Sequence, residues 1–178
     1  MKIPVFVSCP TLLNADQISS KRIILEELDS LMLEPHTLGI SDYPSDLPLR
    51  EVYVMGTHCS GGVILGFEQY FAPEVIRKRG TPRETPVTGG MSFPTPWNQL
   101  EAGILFGLGL PLLVFREGAI EGGIFDPGVT DVFVHQVPAA NITPENRSAL
   151  REVFLKWQAR VREHYYRDRR PTSESSAR

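Results

Sequence analysis

TPWNQLEAGILFGLGLPLLVFRE, residues 95–117, reads as one helix that runs straight into one buried strand. Thr95 is a short polar residue of the kind that caps a helix, and Pro96 suits the first helical position. Gly109 is a helix stop, and Pro111 lies just beyond it. Residues 111–117, PLLVFRE, are then mostly apolar, as in a strand covered on both faces. A helix that leads into a doubly buried strand is part of a βαβ unit, so the rest of the chain should repeat the pattern.

Four further strands are readable. They are IPVFVS (3–8), LEPHTLG (33–39), GGVILGF (61–67) and DVFVHQV (131–137). A helix begins at a capping box, Asn14 with Gln17, and runs to about Ser30. It carries Ile18, Ile23, Ile24, Leu25, Leu28 and Leu31 at three- and four-residue steps. A second helix covers residues 49–59. A last one runs from Pro144 to about Tyr166 with Leu150, Phe154, Trp157 and Val161 on one face. Residues 68–95 hold Pro73, Pro82, Pro86 and Pro94 with Gly80, Gly89 and Gly90, and predict a long irregular insertion.

The alternation predicts an α/β fold: a three-layer, flavodoxin- or Rossmann-like parallel sheet of five strands in the order 2-1-3-4-5. Residues 1–167 form one domain, and 168–178 read as a disordered tail.

Composition narrows the function classes. With 178 residues, 42% of them hydrophobic, the chain buries a core without disulfides or a structural metal. A net charge of −3 argues against a general nucleic-acid binder. Cys9 and Cys59 alone make neither a disulfide framework nor a zinc site, and the four histidines lack metal-ligand spacing. The first apolar run is too short for a signal peptide, and nothing approaches the roughly 20 apolar residues of a membrane span. These features predict a cytoplasmic, soluble protein with two reduced thiols and no membrane partner.

In such a sheet, ligands sit beyond the carboxyl ends of the strands. Glu101 is the sharpest candidate there. It is the one charge in its helix, with Asn98 three residues and Trp97 four residues before it. At that spacing the side chains share a face, with Cβ atoms roughly 5–6 Å apart. A carboxylate on a buried helix must be paired, bathed by a cleft or shifted in pKa; the alternative is an exposed or salt-bridged glutamate. Gly103 and Gly107 each cost about 1 kcal/mol relative to alanine, and close packing on the sheet is the expected reason.

Weaker candidates share those loops. Asp42 would contact a ribose hydroxyl or close an Asx-turn. Glu68 and Gln69 follow the third strand and would line the cleft. Ser8, with Thr11 and Asn14, leads into a helix N-terminus that can hold an anion, although no GxGxxG or Walker pattern is present. Arg116 would meet a phosphate or pair with Glu117 or Glu121.

The VFVS strand and the TPWNQLEAGILFGLGLPLLVFRE segment resemble the nucleoside 2-deoxyribosyltransferase-like proteins, in which a glutamate-bearing helix leads through a turn into the next strand. The tryptophan shortly before the glutamate resembles the pattern of TIR domains, which share the layout. The resemblance covers residues 3–137 in topology. It implies cleavage or transfer at an N-glycosidic bond of a nucleoside, nucleotide or NAD-type substrate, with Glu101 as nucleophile or oxocarbenium stabiliser. It further implies a pocket shaped by Trp97 and Asn98. No cofactor is required, NAD being a possible substrate, and a homo-oligomer is common in both groups. Where the transferases place an aspartate after the third strand, this chain has Glu68 and Gln69, which would substitute for it. The alternative is a nucleotide-binding sensor of the same fold that does not turn its ligand over.

Overall fold

The computed structural model describes residues 1–38, 48–118, 120–129 and 134–167. Its elements run β1 (Ile3–Ser8), α1 (Ala15–Ser30), β2 (Leu33–His36), α2 (Pro48–His58), β3 (Gly62–Gly66), β4 (Tyr70–Ala72), β5 (Val75–Arg77), β6 (Thr85–Val87), β7 (Met91–Phe93), α3 (Pro96–Gly107), β8 (Leu112–Arg116), a short 3₁₀ turn (Gly123–Phe125), β9 (Val134–Gln136) and α4 (Pro144–Arg167). Five strands form one sheet in the order β2-β1-β3-β8-β9. Every neighbouring pair in it is parallel. With two hairpins set aside, this is the expected 2-1-3-4-5 order.

Alternation along each strand sends side chains into two cores. Val5, Val7, Val63, Leu65, Leu113 and Phe115 face α1 and α4, meeting Ile24, Leu28, Phe154 and Trp157. Phe6, Ile64, Leu112 and Val114 face the other way, onto Val52 of α2, Ala102 and Leu105 of α3, and Phe125. Both faces are covered, which is what continuous apolar strands require.

The helix signals act as read. Asn14 Oδ1 accepts from Gln17 N at 2.9 Å, and Gln17 Oε1 accepts from Asn14 N at 3.1 Å, closing the capping box of α1. Thr95 caps α3, and Gly109 takes a positive φ of 73° just past its end. Ile18 turns outward, while Gln17 and Ser20 take inward positions of α1. They do so because both find partners: Gln17 on Glu117, and Ser20 on the Pro138 carbonyl at 2.6 Å.

Three expectations are corrected. Residues 68–95 are not an irregular insertion: β4 pairs with β7 and β5 with β6, each antiparallel. Their three-residue strands are too short and too proline-interrupted to show a period. The second strand stops at His36 rather than at Gly39; of the expected fifth strand Val134–Gln136 is extended, and residues 131–133 lie outside the described residues. Gly103 and Gly107 do not pack on the sheet, since among the described residues a Cβ at either would meet nothing within 4 Å. The close-packed glycines are others: a Cβ at Gly62 would strike Leu105 and Leu112, and one at Gly66 would overlap the Phe125 ring. The expected tail, 168–178, lies outside the described residues. Among the described residues, no helix is long and apolar enough to cross a membrane.

The Gly66 contact is testable. Gly66→Ala is expected to destabilise the fold by about 1–3 kcal/mol through overpacking. Denaturant unfolding measures it, and an unchanged midpoint would show that the Phe125 ring moves aside freely.

Candidate functional site

In a 2-1-3 strand order, the chain reverses direction across the sheet between β1 and β3, and ligands collect there. Ser8 ends β1, and its register partner on β3 is Ile64. Helix α3 starts over this same point because Asn98 bridges it. Asn98 Nδ2 donates to Ser8 Oγ at 2.8 Å and to the Leu65 carbonyl at 3.3 Å. Its Oδ1 accepts from Thr95 Oγ1 at 3.0 Å. The amide is only 1% exposed, so its bonds are not shared with bulk water.

Glu101 stands one turn further along α3 and is 8% exposed. Burial pushes its carboxyl above the ordinary range, and a hydrogen bond from the Ser8 hydroxyl pulls partly back. The Ser8 oxygen already accepts from Asn98, which leaves its proton for Glu101. Thr95, Asn98, Ser8 and Glu101 thus form one chain of donors ending on a carboxylate.

A cleft of about 220 Å³ opens beside that carboxylate. Glu101, Asn98 and Trp97 line it from α3, Cys9, Pro10 and Thr11 from the loop after β1, and Leu38 and Pro48 from the far side. Burial pushes the Cys9 thiol up to about 11 against the opposing influence of Lys21, so it is neutral at ordinary pH. A larger concavity of about 550 Å³, lined by Phe106, Pro111, Arg160 and His164 among others, lies where the chain enters β8. That is the amino end of the sheet, away from Glu101.

The sequence candidates therefore divide. Glu101, Asn98 and Trp97 meet at the cleft, and Ser8 sits directly beneath Glu101. Glu68 and Gln69 do not line it. Glu68 accepts from Ser92 with its carboxylate, and its backbone N–H donates to Glu117 Oε2 at 2.7 Å. Gln69 Nε2 donates to the Leu12 and Glu68 carbonyls at 3.2 and 3.0 Å. Both tie down the start of the hairpin segment. Arg116 pairs with neither expected acid. Its Nη1 donates to the carbonyls of Ile120 at 2.8 Å and Phe125 at 3.4 Å, which holds the loop after β8. Asp42 lies outside the described residues.

Two groups escaped the sequence reading. Cys9 entered it only as a thiol, although its place just after β1 was the signal that it lines the cleft. Glu117 appeared only as a partner for Arg116. Its Oε2 instead accepts from both Gln17 Nε2 and Glu68 N at 2.7 Å, joining α1 to the end of β3. Nothing local in the sequence marks that role. Among the described residues, no group of three His, Cys, Asp or Glu side chains is placed to hold a metal.

Comparison of the chain with protein-family models, curated proteins and solved structures finds no match.

The raised carboxyl has a signed consequence for stability. Folded Glu101 keeps its proton at pH values where the unfolded chain, titrating near 4.5, has lost it. Native stability therefore falls as pH rises from 4.5 through the raised value. Glu101→Gln is expected to melt at a higher temperature than the parent at pH 8, with the gap closing toward pH 4.5. Melting curves across that range check it, and a variant less stable at pH 8 would show that ionised Glu101 is net stabilising.

Proposed function

We propose that the chain cleaves or transfers an N-glycosidic bond of a nucleoside, nucleotide or NAD-type substrate, with Glu101 as the group that meets the sugar. The observation that carries this reading is a desolvated carboxylate held by neutral donors at the mouth of a strand-end cleft. When the C1′–N bond breaks, its electron pair leaves with the base and the sugar becomes cationic. An anion fixed on one face of the sugar stabilises that charge, and stabilises it most where water is excluded. Glu101 then either bonds to C1′ or shields it until water or an acceptor hydroxyl adds and gives up its proton.

Trp97 and the prolines of the cleft suit the flat, apolar face of a base. Among the described lining residues Glu101 is the sole carboxyl group, and the Cys9 thiol is a weak donor. A neutral leaving base that needs protonation is served poorly by that set. Nicotinamide departs neutral from a pyridinium and needs no proton, so an NAD-type substrate fits better than a purine nucleoside. The reaction as written calls for no cofactor.

Incubation with NAD and with a nucleoside panel, followed by chromatography, reads the released base. Glu101→Gln is expected to lower release by about a hundredfold or more, as loss of a preorganised charge-stabilising group does. Retained ligand binding with no release from any substrate would instead assign a sensor role to the same cleft.

Ser8→Ala supplies a second readout. The hydroxyl holds the Glu101 pKa down, so its removal is expected to move the acid limb of the pH–rate profile to higher pH. An unmoved limb would mean that ionisation of Glu101 does not control the rate.

A further inference from the structure

Residues 77–83, RKRGTPR, set Arg77, Lys78, Arg79 and Arg83 at the tip of the β5–β6 hairpin. Arg77 is engaged, since its guanidinium donates to Glu121. Lys78, Arg79 and Arg83 are exposed, and among the described residues none of them has an acidic partner. The tip that carries them is a fixed turn. Thr81 N donates to the Lys78 carbonyl at 3.1 Å, and Gly80 N donates to Glu84 Oε2 at 2.6 Å. Lys78 takes a φ of 53°, a left-handed conformation that suits glycine and strains a lysine. Glycine would relieve that strain but would remove a cation from the tip.

A pocket leads from the tip toward the start of α3. Glu121, which holds Arg77, lines a cavity of about 350 Å³ together with Tyr70, Phe93, Pro96 and Gln99. Thr95 lines it as well, and Thr95 also lines the cleft beside Glu101. Pocket and cleft therefore border the same first turn of α3. Tyr70 is 61% exposed, so much of its ring is open to solvent.

Charge and shape choose the occupant. Three cations without acidic partners suit an anion whose charges repeat. Two of the three are arginines, whose planar fork pairs with a phosphate through two bonds. A membrane offers its phosphates as a flat layer, which does not reach into a pocket. A single strand of nucleic acid does: its phosphates repeat along the backbone, and its unpaired bases turn outward and stack on aromatic rings. A cavity of this size lies at the small end of the range for ligand pockets and suits one base. The net charge of −3 argues against binding over the whole surface. With the tip left out the remainder of the chain is more negative still, which confines a polyanion to the hairpin.

We propose that the tip of the β5–β6 hairpin and the pocket at Tyr70 form a track for single-stranded nucleic acid. Lys78, Arg79 and Arg83 hold its phosphates, and a base stacks on Tyr70. Binding of this kind goes beyond the glycosidic reading and stands without it.

Fluorescence anisotropy of the full chain with a labelled oligothymidylate, about twenty nucleotides long, tests this. Saturable binding is expected at about 50 mM salt, with a log–log salt slope of about −2 for three phosphate contacts. Lys78→Gln, Arg79→Gln and Arg83→Gln combined are expected to weaken binding about a hundredfold at that salt and to flatten the slope. Tyr70→Ala is expected to weaken it about fivefold or more, the worth of one stacked base. All four side chains are exposed, and unchanged circular dichroism shows that each variant still folds. No saturation up to roughly 100 μM overturns the proposal. So does binding that either variant leaves unchanged. A duplex of the same length bound as tightly as the single strand also overturns it, because a paired base does not enter the pocket. Attachment to phosphatidylserine vesicles that depends on the three cations, with no binding of the oligonucleotide, overturns it in favour of a membrane.

Discussion

The buried amide of Asn98 is the constraint on which the cleft depends. One side chain joins the first turn of α3 to the last residue of β1 and to a carbonyl of β3. These two strands flank the point where the chain order reverses across the sheet. A polar group that deep costs several kcal/mol unless its bonds are made. The helix is therefore not free to slide or roll over the strand ends. Leu105 and Ala102 anchor the rest of it apolarly, but apolar contacts tolerate small shifts. The amide's directional bonds do not, and they set the register that brings Glu101 to the cleft.

The electrostatic character of Glu101 follows from what holds it. A guanidinium beside it would pin the carboxylate as an ion but also neutralise much of its field. Here the influences on it are burial and a hydroxyl, which act in opposite directions. The hydroxyl keeps the ionised form accessible without supplying a compensating charge. Such a group responds strongly to positive charge that appears later, because none is present beforehand. The fold bears the cost of desolvation, and the hydrogen bonds of Asn98 and Ser8 offset part of it.

Most of the architecture was legible because its signals are local or periodic. Thr95–Pro96, Asn14–Gln17 and Gly109 each mark a helix end through bonds made within four residues. Apolar strands between amphipathic helices imply a sheet covered on both sides. Glu101 stood out as a lone charge on an apolar helix, and Asn98 as its neighbour one turn back. Glu68, Gln69 and Arg116 were misplaced for a common reason. Each sits at a strand end, where sequence position alone points to a ligand, but other protein groups take up its polar atoms: Ser92 and Leu12, far along the chain, for Glu68 and Gln69, and carbonyls of the irregular loop after β8 for Arg116. Pairings that span many residues leave no periodic trace. The hairpins within 68–95 were hidden for the same reason, since their short strands derive stability from each other.

The glycines show how one residue type answers to two different neighbours. Gly56, Gly62 and Gly66 lie where a methyl group would strike a packed side chain, so the fold itself demands them. Gly103 and Gly107 face outward on a helix that bears no charge to keep that side wet. A surface helix of a water-exposed protein ordinarily carries polar residues opposite its buried stripe. Helix α3 largely inverts this arrangement: Asn98 and Glu101 point inward, Gln99 bonds the Gly122 carbonyl and the Ile124 N–H at one side, and the outward line is Leu100, Gly103 and Gly107. The inward half is accounted for by the strand ends and the cleft. Among the described residues no side chain stands over Gly103 or Gly107, and a face of that composition becomes favourable only when water is removed from it.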